Sequence, residues 1–92
     1  MVRVVVLYGE APDDREFEAH AELCRLVPGG TFRHGPVIGS PMGEPAHRYY
    51  AEWEFPDDAS FRAATASDEF IATGKDAYKR GFPQPTVEFV RL

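Results

Sequence analysis

The chain opens on Val2-Arg3-Val4-Val5-Val6-Leu7-Tyr8, a β-branched run closed by Gly9, which predicts a buried strand. Pro12-Asp13-Asp14 marks a helix start, with Asp13 as N-cap and Glu16 three residues on in the capping-box position. Phe17, His20, Ala21, Cys24 and Val27 recur at helical spacing as one apolar or semi-apolar stripe, and Pro28-Gly29-Gly30 ends it. Thr31 to Ile38 has strand character interrupted by Gly35-Pro36, the pattern of an edge strand. An aperiodic turn segment from Gly39 to His47 leads into an aromatic-rich strand, Arg48 to Phe55. Pro56-Asp57-Asp58 opens a second helical region, Ala59 to Ala66 and then, after a recap at Ser67, Asp68 to Lys79. In the latter piece Phe70, Gly74, Ala77 and Tyr78 share a face. Beyond the Gly81-to-Pro85 loop, Thr86 to Leu92 forms the last strand.

The order is β-α-β-β-α-β over a single domain, residues 1–92, which is the split-βαβ arrangement of an α+β, ferredoxin-like fold. Right-handed crossovers place the first and third strands in the middle of a four-stranded antiparallel sheet and both helical regions on one face. Strand alternation sends Val2, Val4, Val6 and Tyr8, with Tyr49, Ala51, Trp53 and Phe55, beneath the helices. The opposite face still carries Val5, Leu7, Tyr50, Val90 and Leu92. Leaving each of these wet forgoes roughly 1.5–3 kcal/mol of burial, so the sheet predicts a partner for that face. A second copy packed sheet to sheet is the remedy with the least new structure, and Arg3, Arg33, Glu52, Glu54 and Glu88 would meet near that interface.

Charge and composition narrow the function classes. Ten Lys and Arg against fifteen Asp and Glu give a net charge of −5, a poor match for a phosphate backbone, so no nucleic-acid partner is expected. Cys24 is the only cysteine, and with three histidines it shows no ligand spacing, so neither a disulfide nor a metal site is expected. The apolar run Val4 to Tyr8 is too short for a signal peptide or a membrane span; no membrane association and a cytoplasmic location are the expectations. Phosphate-binding, dinucleotide-binding, nucleophile-elbow and zinc-protease motifs are all missing.

The residues also match a known family. The opening strand Val2–Tyr8 closed by Gly9, the helix carrying His20 eight residues before Pro28-Gly29, and Ile38-Gly39-Ser40-Pro41 leading through a Gly/Pro loop into Tyr49–Phe55 together resemble the EthD family. That family is named for a protein of ethyl tert-butyl ether degradation and sits in the dimeric α/β-barrel superfamily. Where members often read His-x-Pro-Leu, this chain reads His20-Ala21-Glu22-Leu23, which leaves the helix without a proline kink. The resemblance implies a homodimer whose two sheets form a barrel. It also implies a ligand in a cleft between helices and sheet or near the barrel mouth. Superfamily members include cofactor-independent monooxygenases, polyketide cyclases, muconolactone isomerases and some haem enzymes. A 92-residue chain offers little volume to enclose a haem, and no cofactor is expected here.

His20 is the candidate catalytic residue, because an imidazole on the stripe facing the sheet can exchange protons with a phenolic or enolisable ligand. The competing reading is a core histidine satisfied by its neighbours. Tyr8, Phe17, His34, Tyr49 and Trp53 are the candidate substrate-binding residues, an aromatic lining suited to a flat, hydrophobic ligand. Met42 and His47 read as parts of a plain surface loop, with a lid over the pocket as the alternative, and Gly74 as a point of close approach or a bend. Asp76 reads as a solvated charge; Glu52 and Glu54 are the runner-up acid/base candidates but read first as salt-bridge partners of Arg3 or Arg33. Two functions follow: a small homodimeric enzyme performing cofactor-independent oxygenation, isomerisation or cyclisation, or a non-catalytic ligand-binding accessory of a degradative or biosynthetic pathway. A purely structural dimer domain is a third.

Overall fold

The alternating strands assemble as expected in the computed structural model, which describes all 92 residues. The elements are β1 (Val2–Tyr8), α1 (Asp14–Cys24), β2 (Thr31–Pro36), β3 (Tyr49–Phe55), α2 (Asp58–Thr65), α3 (Asp68–Lys79) and β4 (Thr86–Arg91). The sheet runs β2-β3-β1-β4, antiparallel throughout. β1 and β3 are therefore central and β2 is an edge strand. Opposite β1, register places Ala51 and Val87 beside Val6, and Trp53 and Phe89 beside Val4. No helix is long and apolar enough to cross a membrane.

Local signals decide where each element starts and stops. Asp13 caps α1, its Oδ1 accepting from the backbone N–H groups of Arg15 and Glu16 at 3.0 Å each. Glu16 does not complete the capping box; its carboxylate accepts instead from Arg80. α1 ends at Cys24, short of the expected stop at Pro28. The backbone tightens into turns from Leu26 N–H to Leu23 C=O and from Val27 N–H to Cys24 C=O, because a residue before proline is driven out of helical geometry. Val27 stays buried all the same. β2 ends at Pro36, which has no N–H for the ladder, so Ile38 lies in the following segment, fully exposed. α2 begins one residue early because Asp57 caps it through Ser60 N–H at 2.7 Å. α3 has the expected bounds, with Ser67 as cap.

The buried stripe of α3 is rotated from the expected one. Thr73 is its buried residue, and Tyr78 is 88% exposed. The helix ends in a Schellman turn: Gly81, at φ +75°, donates its N–H to Tyr78 C=O, and Phe82 N–H reaches back to Ala77 C=O. That left-handed glycine folds the chain back so that Phe82 packs edge-on against Tyr8 and His20.

The sheet face away from the helices is held by its own charges. Glu52, only 5% exposed, accepts from Arg33 Nε at 3.0 Å and from the Tyr50 hydroxyl at 2.7 Å. Glu54 accepts from Arg3 Nη2 at 3.0 Å and from Arg33 Nη2 at 2.9 Å. Burial alone would raise the Glu52 carboxyl, but the hydrogen bonds from Tyr50 and Arg33 and the charges of Arg33 and Arg3 outweigh it and hold the group below its ordinary value. Val5 and Leu7 on the same face remain half-buried.

The helix-side core closes tightly where the α1–β2 connection crosses β3. A Cβ at Gly30 would lie 2.5 Å from Phe55 Cε1 and 3.0 Å from the Glu54 carbonyl oxygen, and Phe55 is itself fully buried. Gly30→Ala is therefore expected to destabilise the protein by about 1–3 kcal/mol, an overpacking cost read from urea unfolding midpoints. Gly35→Ala, where a Cβ meets nothing within 4 Å, serves as the control.

Candidate functional site

Between the helices and the sheet lies a cavity of about 360 Å³. Val6, Tyr8, Ala51 and Trp53 form its floor, α1 contributes Phe17, His20 and Cys24, and α3 contributes Phe70, Thr73 and Ala77. No Asp, Glu, Lys or Arg side chain lines it. A ligand bound here loses its hydration with no ion pair in return, so the space suits a neutral, largely aromatic molecule. Both threonine hydroxyls are already spent on backbone carbonyls, Thr65 on Phe61 and Thr73 on Phe70. Trp53 Nε1–H donates to the Cys24 carbonyl at 2.8 Å, which fixes the indole plane.

Three polar groups remain. Tyr8 is only 2% exposed and lines the cavity, yet its hydroxyl makes no hydrogen bond within the protein. Burial, with the nearby Cys24 adding to it, pushes this phenol up to about 12, so it stays a neutral donor. His20, on the stripe of α1, donates Nδ1–H to Asp76 Oδ2 on α3 at 2.8 Å. Its Nε2 faces Cys24 Sγ at 3.4 Å, one helical turn along. Burial first, and then the charge of Asp76, push the Cys24 thiol up to about 12, so it is a thiol and not a nucleophilic thiolate.

Asp76 departs from the expected solvated charge. Its Oδ2 accepts from both His20 and Arg80 Nε, each at 2.8 Å, and Arg80 Nη1 continues to Glu16 at 2.7 Å. Burial would raise the carboxyl, but the hydrogen bonds from Arg80 and His20 hold it below the ordinary range, so it is ionised. On the helical wheel Asp76 sits at the flank of the buried stripe, and that flank is where α1 packs against α3.

Of the residues singled out from sequence, Tyr8, Phe17, His20 and Trp53 line the cavity together. His34 and Tyr49 do not. They pair with each other, His34 Nδ1 and the Tyr49 hydroxyl lying 2.7 Å apart, and stack around the far side of Phe17. Burial lowers the His34 imidazole, with Glu18 opposing. Met42 and His47 lie outside the cavity lining. Gly74 borders the cavity, and a Cβ there would meet nothing within 4 Å, so no neighbouring helix requires it. Phe70, Phe82 and Asp76 were the residues whose place around His20 and the cavity sequence reasoning missed. Two of them carried a signal: Phe70 through its place on the shared apolar face of α3, and Phe82 as an apolar residue after a helix-terminating glycine.

No protein-family model matches the sequence, and no curated protein does. Solved structures do. An EthD family protein from Bacillus halodurans C-125 is 32% identical, with 100% of this chain and 98% of that one covered and a TM-score of 0.81. A dimeric ferredoxin-like protein of unknown function from Jannaschia sp. CCS1 is 22% identical over 99% of this chain and 98% of its own, at a TM-score of 0.72. SnoaB, a cofactor-independent oxygenase from Streptomyces nogalater, is 18% identical over 99% and 89%, at a TM-score of 0.58. The last two are similarities of fold.

The two buried tyrosines on the helix side differ in what their hydroxyls do. Tyr8→Phe removes an oxygen with no protein partner and is expected to leave stability within about 0.5 kcal/mol of wild type. Tyr49→Phe loses the bond to His34 and is expected to cost about 1 kcal/mol, both read from urea unfolding.

Proposed function

The chain belongs to the EthD family, and on that footing we propose that it binds a neutral aromatic or polycyclic compound in the cavity between α1, α3 and the sheet, where His20 moves protons to and from it. The observation that carries this reading is the His20–Asp76 pair at the border of an uncharged, aromatic-lined space. A ligand carbonyl or hydroxyl meets Tyr8 as hydrogen-bond donor, and loss of its proton gives an enolate or phenolate. Cofactor-independent oxygenation, isomerisation and cyclisation all begin from such an anion, and a positioned base contributes about 10²–10⁴-fold to forming it. The oxygenase described among the structures of this fold supports that chemistry as a direction.

One observation favours the second reading, a carrier that binds without turnover: both ring nitrogens of His20 already have partners, Asp76 and the Cys24 thiol. Exchange of α-protons of 2-tetralone in D2O, followed by NMR, separates the two. Accelerated exchange that is lost in His20→Ala, while quenching of the lone Trp53 still reports binding, supports proton transfer. Exchange that survives the substitution, or binding without exchange, overturns it in favour of the carrier.

The active unit in this proposal is a homodimer through the open sheet face. Val5, Leu7, Tyr50 and Val90 offer the apolar area there, and Arg3, Arg33, Glu52 and Glu54 are already paired, so a second copy meets a neutralised surface. The description of the Jannaschia protein as dimeric supports it. Light scattering at micromolar concentration is expected to give a particle of twice 10.3 kDa; a lone 10.3 kDa species refutes the dimer.

A further inference from the structure

His20 has two ring nitrogens, and the cavity can use only one as a base. Asp76 decides which. A carboxylate held ionised by Arg80 can only accept, so the 2.8 Å contact fixes the proton on Nδ1 and leaves the lone pair on Nε2. Nε2 in turn is held only by a thiol at 3.4 Å, a weak donor that an incoming hydroxyl or enol outcompetes. Arg80 is itself anchored on Glu16 of α1, so the carboxylate is gripped from both helices.

We propose that Asp76 is a positioning residue that locks His20 in the Nδ1–H tautomer and reserves Nε2 as the basic atom offered to the ligand, with the Cys24 thiol holding that atom until a ligand arrives. The assignment deepens, and rests on, the reading of His20 as the group that moves protons. It also accounts for the state after transfer. When Nε2 takes a ligand proton, the imidazolium forms next to a standing anion, and a buried cation that would otherwise lack a counter-charge is stabilised where it arises. Neither His34 nor His47 has an aspartate so placed: His34 pairs with the Tyr49 hydroxyl, and only a Glu18 carboxylate oxygen lies 3.7 Å from its Nε2.

Ring ¹⁵N NMR of the histidines tests this without any ligand. The wild-type spectrum is expected to show His20 protonated at Nδ1 and bare at Nε2; the opposite tautomer overturns the proposal, and this measurement depends on no variant that must fold. In Asp76→Ala the oxygen that His20 and Arg80 share is gone, so nothing favours Nδ1–H any longer and the proton is expected to redistribute toward Nε2. An unchanged tautomer in the folded variant overturns the positioning role. With 2-tetralone, Asp76→Ala is expected to lower α-proton exchange by roughly 100-fold or more while Trp53 quenching gives the same affinity. Exchange equal to wild type in a variant whose tautomer has switched also overturns it. If the wild-type protein gives no exchange at all, the reading of His20 as a proton carrier fails, and the tautomer measurement still decides the assignment of Asp76.

Discussion

The hydrogen bond from His20 Nδ1–H to Asp76 Oδ2 joins residues 56 positions apart and fixes how α1 lies against α3. Much of the interior follows from that tie. It keeps the two helices side by side over the sheet, and between them and the strands a space is left that the aromatic side chains line without filling. It sets the tautomer of the one imidazole bordering that space. Arg80 and Glu16 extend the tie to the surface, so the half-buried carboxylate has a counter-charge and need not be protonated to be accommodated.

The continuity of α1 matters to this arrangement. α1 runs without interruption from Asp14 to Cys24. His20 and Cys24 then stand one turn apart on the same face, which brings the thiol against Nε2.

The strands and their faces were legible from alternation alone, because parity along a strand is fixed by backbone geometry and survives errors at the ends. Thus Tyr8, Trp53 and the salt-bridged Glu52 fall where the pattern puts them. What parity does not encode is how far along a strand a helix reaches. His34 and Tyr49 are on the correct face and still miss the cavity, since Phe17 stands between. Asp76 was illegible for a related reason. A helical wheel ranks positions by polarity and marks the sheet-facing stripe, but it cannot say which polar flank will abut another helix, and on α3 that flank is where the carboxylate lies. The early end of α1 was a boundary matter, with Pro28 acting on the residues before it.

β4 is the most open of the strands, with Phe89 exposed even where Phe61 of α2 packs against it. Its helix-side residue Val87 borders the cavity and is still 49% exposed, so on that side the guest is enclosed by a strand margin instead of packed core. Residues there have few neighbours to disturb. The dimensions of the binding space are consequently separable from the stability of the domain, and a lineage can retune what it accommodates by exchanging side chains at this margin while Val4, Phe17 and Phe55 stay untouched.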